Sequence, residues 1–260
     1  MKYLKKLVQH IYCFYAVVCF GILMLLALPF VMVFSLFGIK GGNLVYRACN
    51  IWGRLWYIFI GMRHKEIYEE PHDKSRQYIF AANHSSYMDI PALVCSMHQP
   101  VRVLGKYEMV KFPVFGIIYK AAVILVDRSS SDKRARSVRA LKAALNHGIS
   151  IFLFPEGTFN ETDMPLKEFY DGAFRVAIET QTPIKPLLFV DSLKRMHWRS
   201  IFELNPGRCM VVFMKEIPVN NYTMKDVPLL KQQVYDVMEK GLVQYRSDNT
   251  GLQLKINSNG

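Results

Sequence analysis

Tyr78-Ile79-Phe80-Ala81-Ala82-Asn83-His84-Ser85-Ser86-Tyr87-Met88-Asp89 is a five-residue apolar run that breaks into a polar cluster. A short apolar run of this kind reads as a strand buried on both faces, which implies a sheet covered by helices. In such an architecture the loop leaving the strand presents the reactive groups. His84 and Asp89 sit in that loop, five residues apart. If the chain turns between them, the carboxylate can hold one ring nitrogen and leave the other to take a proton. Taken alone, the pair reads as a satisfied polar histidine and a helix N-cap. Its company changes that reading.

Downstream the pattern alternates between short apolar runs and amphipathic stretches. Residues 101–104, 121–126, 150–154, 186–190 and 209–213 read as strands, and residues 89–97, 131–147, 171–180 and 229–245 as helices. The expectation is an α/β fold, with helices flanking a mixed sheet. Two further strand ends carry candidate chemistry. Phe154-Pro155-Glu156-Gly157-Thr158 follows Ile151-Phe152-Leu153; a proline and a glycine around a glutamate make a rigid turn that aims a carboxylate and exposes backbone N–H groups. Gly157 and Thr158 are therefore candidates, with Glu156, for holding an acceptor hydroxyl or an oxyanion. Lys106 and Arg128 lie at other strand ends and are candidate phosphate ligands. Five other histidines, His64, His72, His98, His147 and His197, are expected on the surface.

Ahead of this domain, residues 11–39 hold no charged side chain. As one helix they would span about 44 Å at 1.5 Å per residue, against roughly 30 Å of hydrocarbon. Pro29 is expected to kink or divide the helix. Residues 43–62 mix tryptophan and arginine into an apolar stretch, as suits a helix at headgroup level. Lysines and arginines stand on both sides of the long run, which favours a helical pair that enters and returns from the cytoplasmic face. The expected division is residues 1–62 as a membrane anchor, 63–247 as the catalytic domain and 248–260 as a polar flexible tail. A formal net charge of +12 fits an anionic membrane surface. No nucleic-acid-binding pattern is present, so nucleic acid is not an expected partner. The five cysteines lack metal or disulfide spacing.

Together these segments resemble the lysophosphatidic acid (1-acylglycerol-3-phosphate) acyltransferase family of glycerolipid acyltransferases over roughly residues 78–190. His84 and Asp89 match the family's His-x4-Asp signature, Arg128 the arginine of its second motif, and Phe154 to Thr158 its Phe-Pro-Glu-Gly-Thr. Pro186 matches its proline-containing fourth motif. The resemblance implies that His84, oriented by Asp89, deprotonates the hydroxyl of a lysolipid. The alkoxide then attacks an acyl thioester, either acyl-CoA or acyl carrier protein, and neither metal nor cofactor is involved. The implied acceptor is 1-acyl-sn-glycerol-3-phosphate, and the implied location is the cytoplasmic face of a membrane, the inner membrane if bacterial. Three positions depart from the pattern: Phe159 stands where the family usually has arginine, Ala122 where it has glycine, and Asp171 where it has a basic residue. Two lost positive charges near one loop would also suit a lyso-aminolipid or another lysophospholipid. Outside this chemistry, the rivals are a non-catalytic membrane-anchored lipid-binding protein and a metal-dependent hydrolase, the latter short of clustered ligands.

Overall fold

The computed structural model describes residues 2–126 and 130–257. Seven strands form one sheet: β1 (Met62–Tyr68), β2 (Ile79–Ala82), β3 (Val101–Lys106), β4 (Val123–Val126), β5 (Ser150–Leu153), β6 (Ile184–Phe189) and β7 (Gly207–Phe213). Their spatial order is β1-β7-β6-β2-β5-β3-β4. Strands β6, β2, β5, β3 and β4 run parallel, while β7 is antiparallel to β6 and β1 follows β7. This is the mixed sheet expected from the sequence. Helices α1 (Lys2–Ser35), α2 (Gly38–Phe59), α3 (Asp89–Ser96), α4 (Phe115–Ala122), α5 (Ser131–Asn146), α6 (Gly172–Thr180), α7 (Ser192–Arg195) and α8 (Val227–Asn257) complete the described chain.

Alternation along the strands sorts the core into two layers. Ile79, Ala81, Ile151 and Leu153 face Leu141 and Leu145 of α5, Phe174 and Ala177 of α6, and Leu230, Val234 and Met238 of α8. The other face, with Tyr78, Phe80, Phe152 and Phe189, packs on Leu93 of α3 and on Cys13, Ala16, Trp56 and Tyr57 of the first two helices. The N-terminal pair is thus both an apolar surface and one cover of the sheet. Helix α1 is long and apolar enough to cross a membrane, judged by length and composition.

Several sequence expectations need revision. Helix α1 runs unbroken through Pro29, whose ring lies on the exposed side, and the chain reverses at Leu36–Phe37 instead. Glycine decides where: Gly38 has φ +55, and a Cβ on Gly41 would lie 1.9 Å from the Phe34 carbonyl oxygen. Ala121 and Ala122 close α4, so the strand expected over residues 121–126 starts only at Val123. Strand β1 is too charged to show a strand pattern. Its Glu66 accepts from His64 and His98 at 3.0 Å; His98 is exposed, as expected, while His64 and Glu66 are partly buried. His72 likewise packs among Tyr68, Tyr78 and Phe213. Helix α8 continues to Asn257, past the end expected at residue 245.

Candidate active site

Strand β2 ends in the middle of the sheet, between β5 and β6, and its next residue is locked before any chemistry begins. The Asn83 side chain donates to the Phe189 carbonyl at 3.1 Å and accepts from the Phe189 N–H at 2.8 Å, closing the gap beyond β6. From there the chain turns tightly. Asp89, 0% exposed at the start of α3, accepts at Oδ2 from the N–H groups of Ser85 (2.7 Å) and Ser86 (2.8 Å). The same oxygen lies 2.9 Å from His84 Nδ1. A carboxylate at the first turn of a helix also sits at the positive end of the helix dipole. Asp89 is thus not an N-cap, a position held by Met88 with no side-chain cap bond; it folds the turn before the helix and orients the ring.

His84 Nε2 has no hydrogen-bond partner among the described residues, and the side chain stays 15% exposed. Rings hold the imidazole in place. Phe154 stacks on it with centroids 3.9 Å apart and planes 16° apart, and Phe159 lies 4.3 Å away at 53°. Tyr87 meets Phe159 edge-on at 4.8 Å. With Nδ1 held and the ring clamped, Nε2 is the atom left to exchange a proton.

Glu156 takes a different place from the one expected. It is 0% exposed, and its two oxygens accept from the His84 N–H (2.7 Å) and the Lys167 N–H (2.8 Å). Burial pushes its carboxyl up to about 7; the backbone bonds from Lys167 and His84 oppose this and only partly offset it. Its carboxylate ties the loop after β2 to the loop after β5 and does not reach open space. A third tie, Asn160 N–H to the His84 carbonyl at 2.7 Å, runs beside it.

Gly157 adopts φ +74, and its N–H is spent on the Phe154 carbonyl at 3.0 Å, so it closes the turn rather than facing a ligand. Thr158 is exposed; its hydroxyl accepts from Lys167 Nζ at 2.8 Å, and its N–H meets no acceptor among the described residues. Lys106 lies on the same carboxyl edge but two strands from His84, exposed and 4.0 Å from Glu108. Arg128 lies outside the described residues. Asp171, one of the charge departures, is paired with Lys231 at 2.8 Å. Spacing carried no signal for the roles of Asn83, Phe154 and Phe159, because each acts through a contact with a distant segment.

Residues 64–190 match the family model described as Acyltransferase. The chain is 27% identical over 215 residues to 1-acyl-sn-glycerol-3-phosphate acyltransferase of Haemophilus influenzae, covering 82% of this chain and 87% of that protein. It is 26% identical over 179 residues to the human 1-acyl-sn-glycerol-3-phosphate acyltransferase alpha, covering 68% of this chain and 62% of that longer protein. The fold is similar to the crystal structure of the 1-acyl-sn-glycerophosphate (LPA) acyltransferase from Thermotoga maritima, with a TM-score of 0.72 at 18% identity. That match covers 95% of this chain and 98% of the other.

Proposed function

The chain belongs to the lysophosphatidic acid acyltransferase family, and from that premise we propose that it moves a fatty acyl group from a thioester to the free hydroxyl of 1-acyl-sn-glycerol-3-phosphate, forming phosphatidic acid in phospholipid biosynthesis. One observation carries the reading: a clamped imidazole with Nδ1 on a buried carboxylate and Nε2 without a partner among the described residues, at the carboxyl edge of the parallel part of the sheet.

His84 Nε2 takes the proton of the acceptor hydroxyl as the oxygen attacks the thioester carbonyl. Asp89 stabilises the imidazolium that forms. The tetrahedral intermediate collapses, the C–S bond breaks, and the departing thiolate recovers the proton from His84. The Thr158 N–H is the proposed oxyanion donor in the loop, since that of Gly157 is already engaged. Glu156 acts at one remove, by fixing the His84 backbone. The route needs no cofactor and no metal, and either acyl-CoA or acyl carrier protein fits the donor chemistry. Lys106, the last residue of β3, and Arg128, two positions past β4 in the sequence, are the proposed phosphate ligands.

The catalytic domain is proposed to lie on the cytoplasmic face of a membrane. The antiparallel pairing of α1 with α2 supports this, since the Trp56 indole donates to the Ala16 carbonyl at 2.8 Å and brings both helix ends to one side. A second acceptor reading, a lyso-aminolipid, is favoured by Phe159, whose ring covers His84 where the family usually has arginine. Purified protein supplied with an acyl thioester and a panel of lysolipids tests both. Lysophosphatidate is expected to be acylated; acylation of no acceptor would end the enzymatic reading.

A further inference from the structure

A second apolar surface stands on the carboxyl edge of the sheet, away from the dyad. After β3 the chain makes a 3-10 turn over Tyr107–Lys111 and then enters α4. Tyr107, Phe112 and Ile117 are 47%, 57% and 50% exposed, and Lys106, Lys111 and Lys120 around them are exposed too. These side chains are held out by a rigid frame. A Cβ on Gly116 would lie 2.1 Å from the Val110 carbonyl oxygen, and one on Gly105 would lie 2.3 Å from the Tyr119 hydroxyl. Between them Val114 has φ 61 and ψ −59, with the Phe115 N–H on the Pro113 carbonyl at 2.6 Å. That is a γ-turn of the strained kind, which a β-branched residue adopts only where its surroundings enforce it. On its inner side, α4 packs Ile118, Ala121 and Ala122 against Val31 of α1 and Val45 and Cys49 of α2. The exposed knuckle is therefore contiguous with the apolar N-terminal pair.

We infer that the knuckle formed by Tyr107, Phe112 and Ile117 is a second membrane-contact element, which presses the site edge of the sheet against a bilayer containing anionic lipid. The inference rests on the lipid-acyltransferase reading of the site. Aromatic and aliphatic side chains ringed by lysines suit the headgroup level, where rings sit in the interface and ammonium groups meet phosphate. Because β3 and β2 end on the same edge, the contact brings the headgroup plane beside His84. A lysolipid then presents its hydroxyl without withdrawing its chain from the leaflet. An acidic carrier protein could pair with the lysines but would leave Phe112, the most exposed of the three, uncovered.

The test uses the full chain in vesicles of phosphatidylcholine and phosphatidylglycerol. Phe112→Cys, with the half-buried Cys19 changed to Ala, places an environment-sensitive fluorophore at position 112, since the other four cysteines are buried. Vesicles with brominated acyl chains are expected to quench that label. In parallel, the Phe112→Ser, Ile117→Ser variant is expected to lose roughly ten-fold in kcat/KM for a long-chain lysophosphatidate in vesicles. Its kcat/KM for a short-chain acceptor dissolved as monomer should stay unchanged. An unquenched label, an equal loss with both acceptors, or a change confined to the KM of the acyl donor would overturn the inference. If the unaltered chain acylates neither acceptor, the enzymatic reading fails, and the quenching result still decides the membrane contact.

Discussion

Around His84 and Asp89, one carboxylate oxygen receives three contacts, which makes substitutions there informative. An asparagine at position 89 can put its amide oxygen where Oδ2 stands and keep the three contacts, but it removes the negative charge that stabilises the imidazolium and buries an NH2 in place of Oδ1, which has no hydrogen-bond partner among the described residues. Asp89→Asn is expected to lower kcat by about 10²–10⁴, the range for general-base catalysis, while KM changes little. His84→Ala should lose at least as much; steady-state kinetics that retained full activity would remove His84 from the reaction. Phe159 bears on the acceptor. Replacing it by Arg exchanges a ring beside His84 for a phosphate-binding fork, and one charge-assisted hydrogen bond corresponds to about a ten-fold preference or more. The kcat/KM ratio of lysophosphatidate to a lyso-aminolipid should rise accordingly in Phe159→Arg. An unmoved ratio would show that headgroup choice is set elsewhere.

Among the elements, Glu156 is the join between the loops after β2 and β5. Its carboxyl titrates near 7 in the folded protein, against an ordinary value of 4.5. Between those values the folded state binds more protons than the unfolded chain, so stability falls as pH rises from 4.5 to about 7 and stays lowered above that. The interval corresponds to about 3 kcal/mol, an upper figure for a group whose charge is also met by two N–H donors. Glu156→Gln should flatten this part of the profile of thermal stability against pH. It should also cost activity, because an amide can accept only one of the two N–H bonds and leaves the His84 backbone or the Lys167 loop untied. A variant with unchanged pH dependence would show that Glu156 is not the titrating group. Asn83 joins β2 to β6 in the same way. Asn83→Ala leaves the Phe189 N–H and carbonyl unsatisfied in the core, expected to cost about 1–3 kcal/mol each in chemical denaturation.

For the whole molecule, the N-terminal pair does double duty. Cys13, Ala16, Trp56 and Tyr57 are buried against the same face of the sheet as Phe80, Phe152 and Phe189. Removing residues 1–61 would uncover that face. The truncated chain is expected to aggregate when expressed without detergent, rather than yield a soluble enzyme; recovery of a monodisperse, active domain would contradict the shared core. Topology is testable on the intact chain. In sealed vesicles, protease added on the side equivalent to the cytoplasm should cut the catalytic domain, and full protection from that side would refute the proposed orientation.

Residues 78–89 were readable from sequence because strand burial and loop chemistry are local: an apolar run must be covered on both faces, and the polar cluster after it must lie at a strand end. The same held for the turn at Phe154–Thr158, but not for the bounds of α1, which runs from Lys2 past Pro29 to Ser35. Strand β1 was not readable, since its charged residues are satisfied only by partners such as His98, which lies 32 positions from Glu66 in the chain. Nor could spacing show that Glu156 ties backbone, that Gly157 spends its N–H within the turn, or that Phe154 and Phe159 clamp the imidazole. Those roles arise where parallel strands bring loops more than 70 residues apart within 3 Å, as in the 2.7 Å bond from His84 to Glu156. Sequence alone determined which residues could do acid–base chemistry. Tertiary packing decided which of them face open space, because burial and hydrogen-bond partners depend on segments that meet only in the folded sheet.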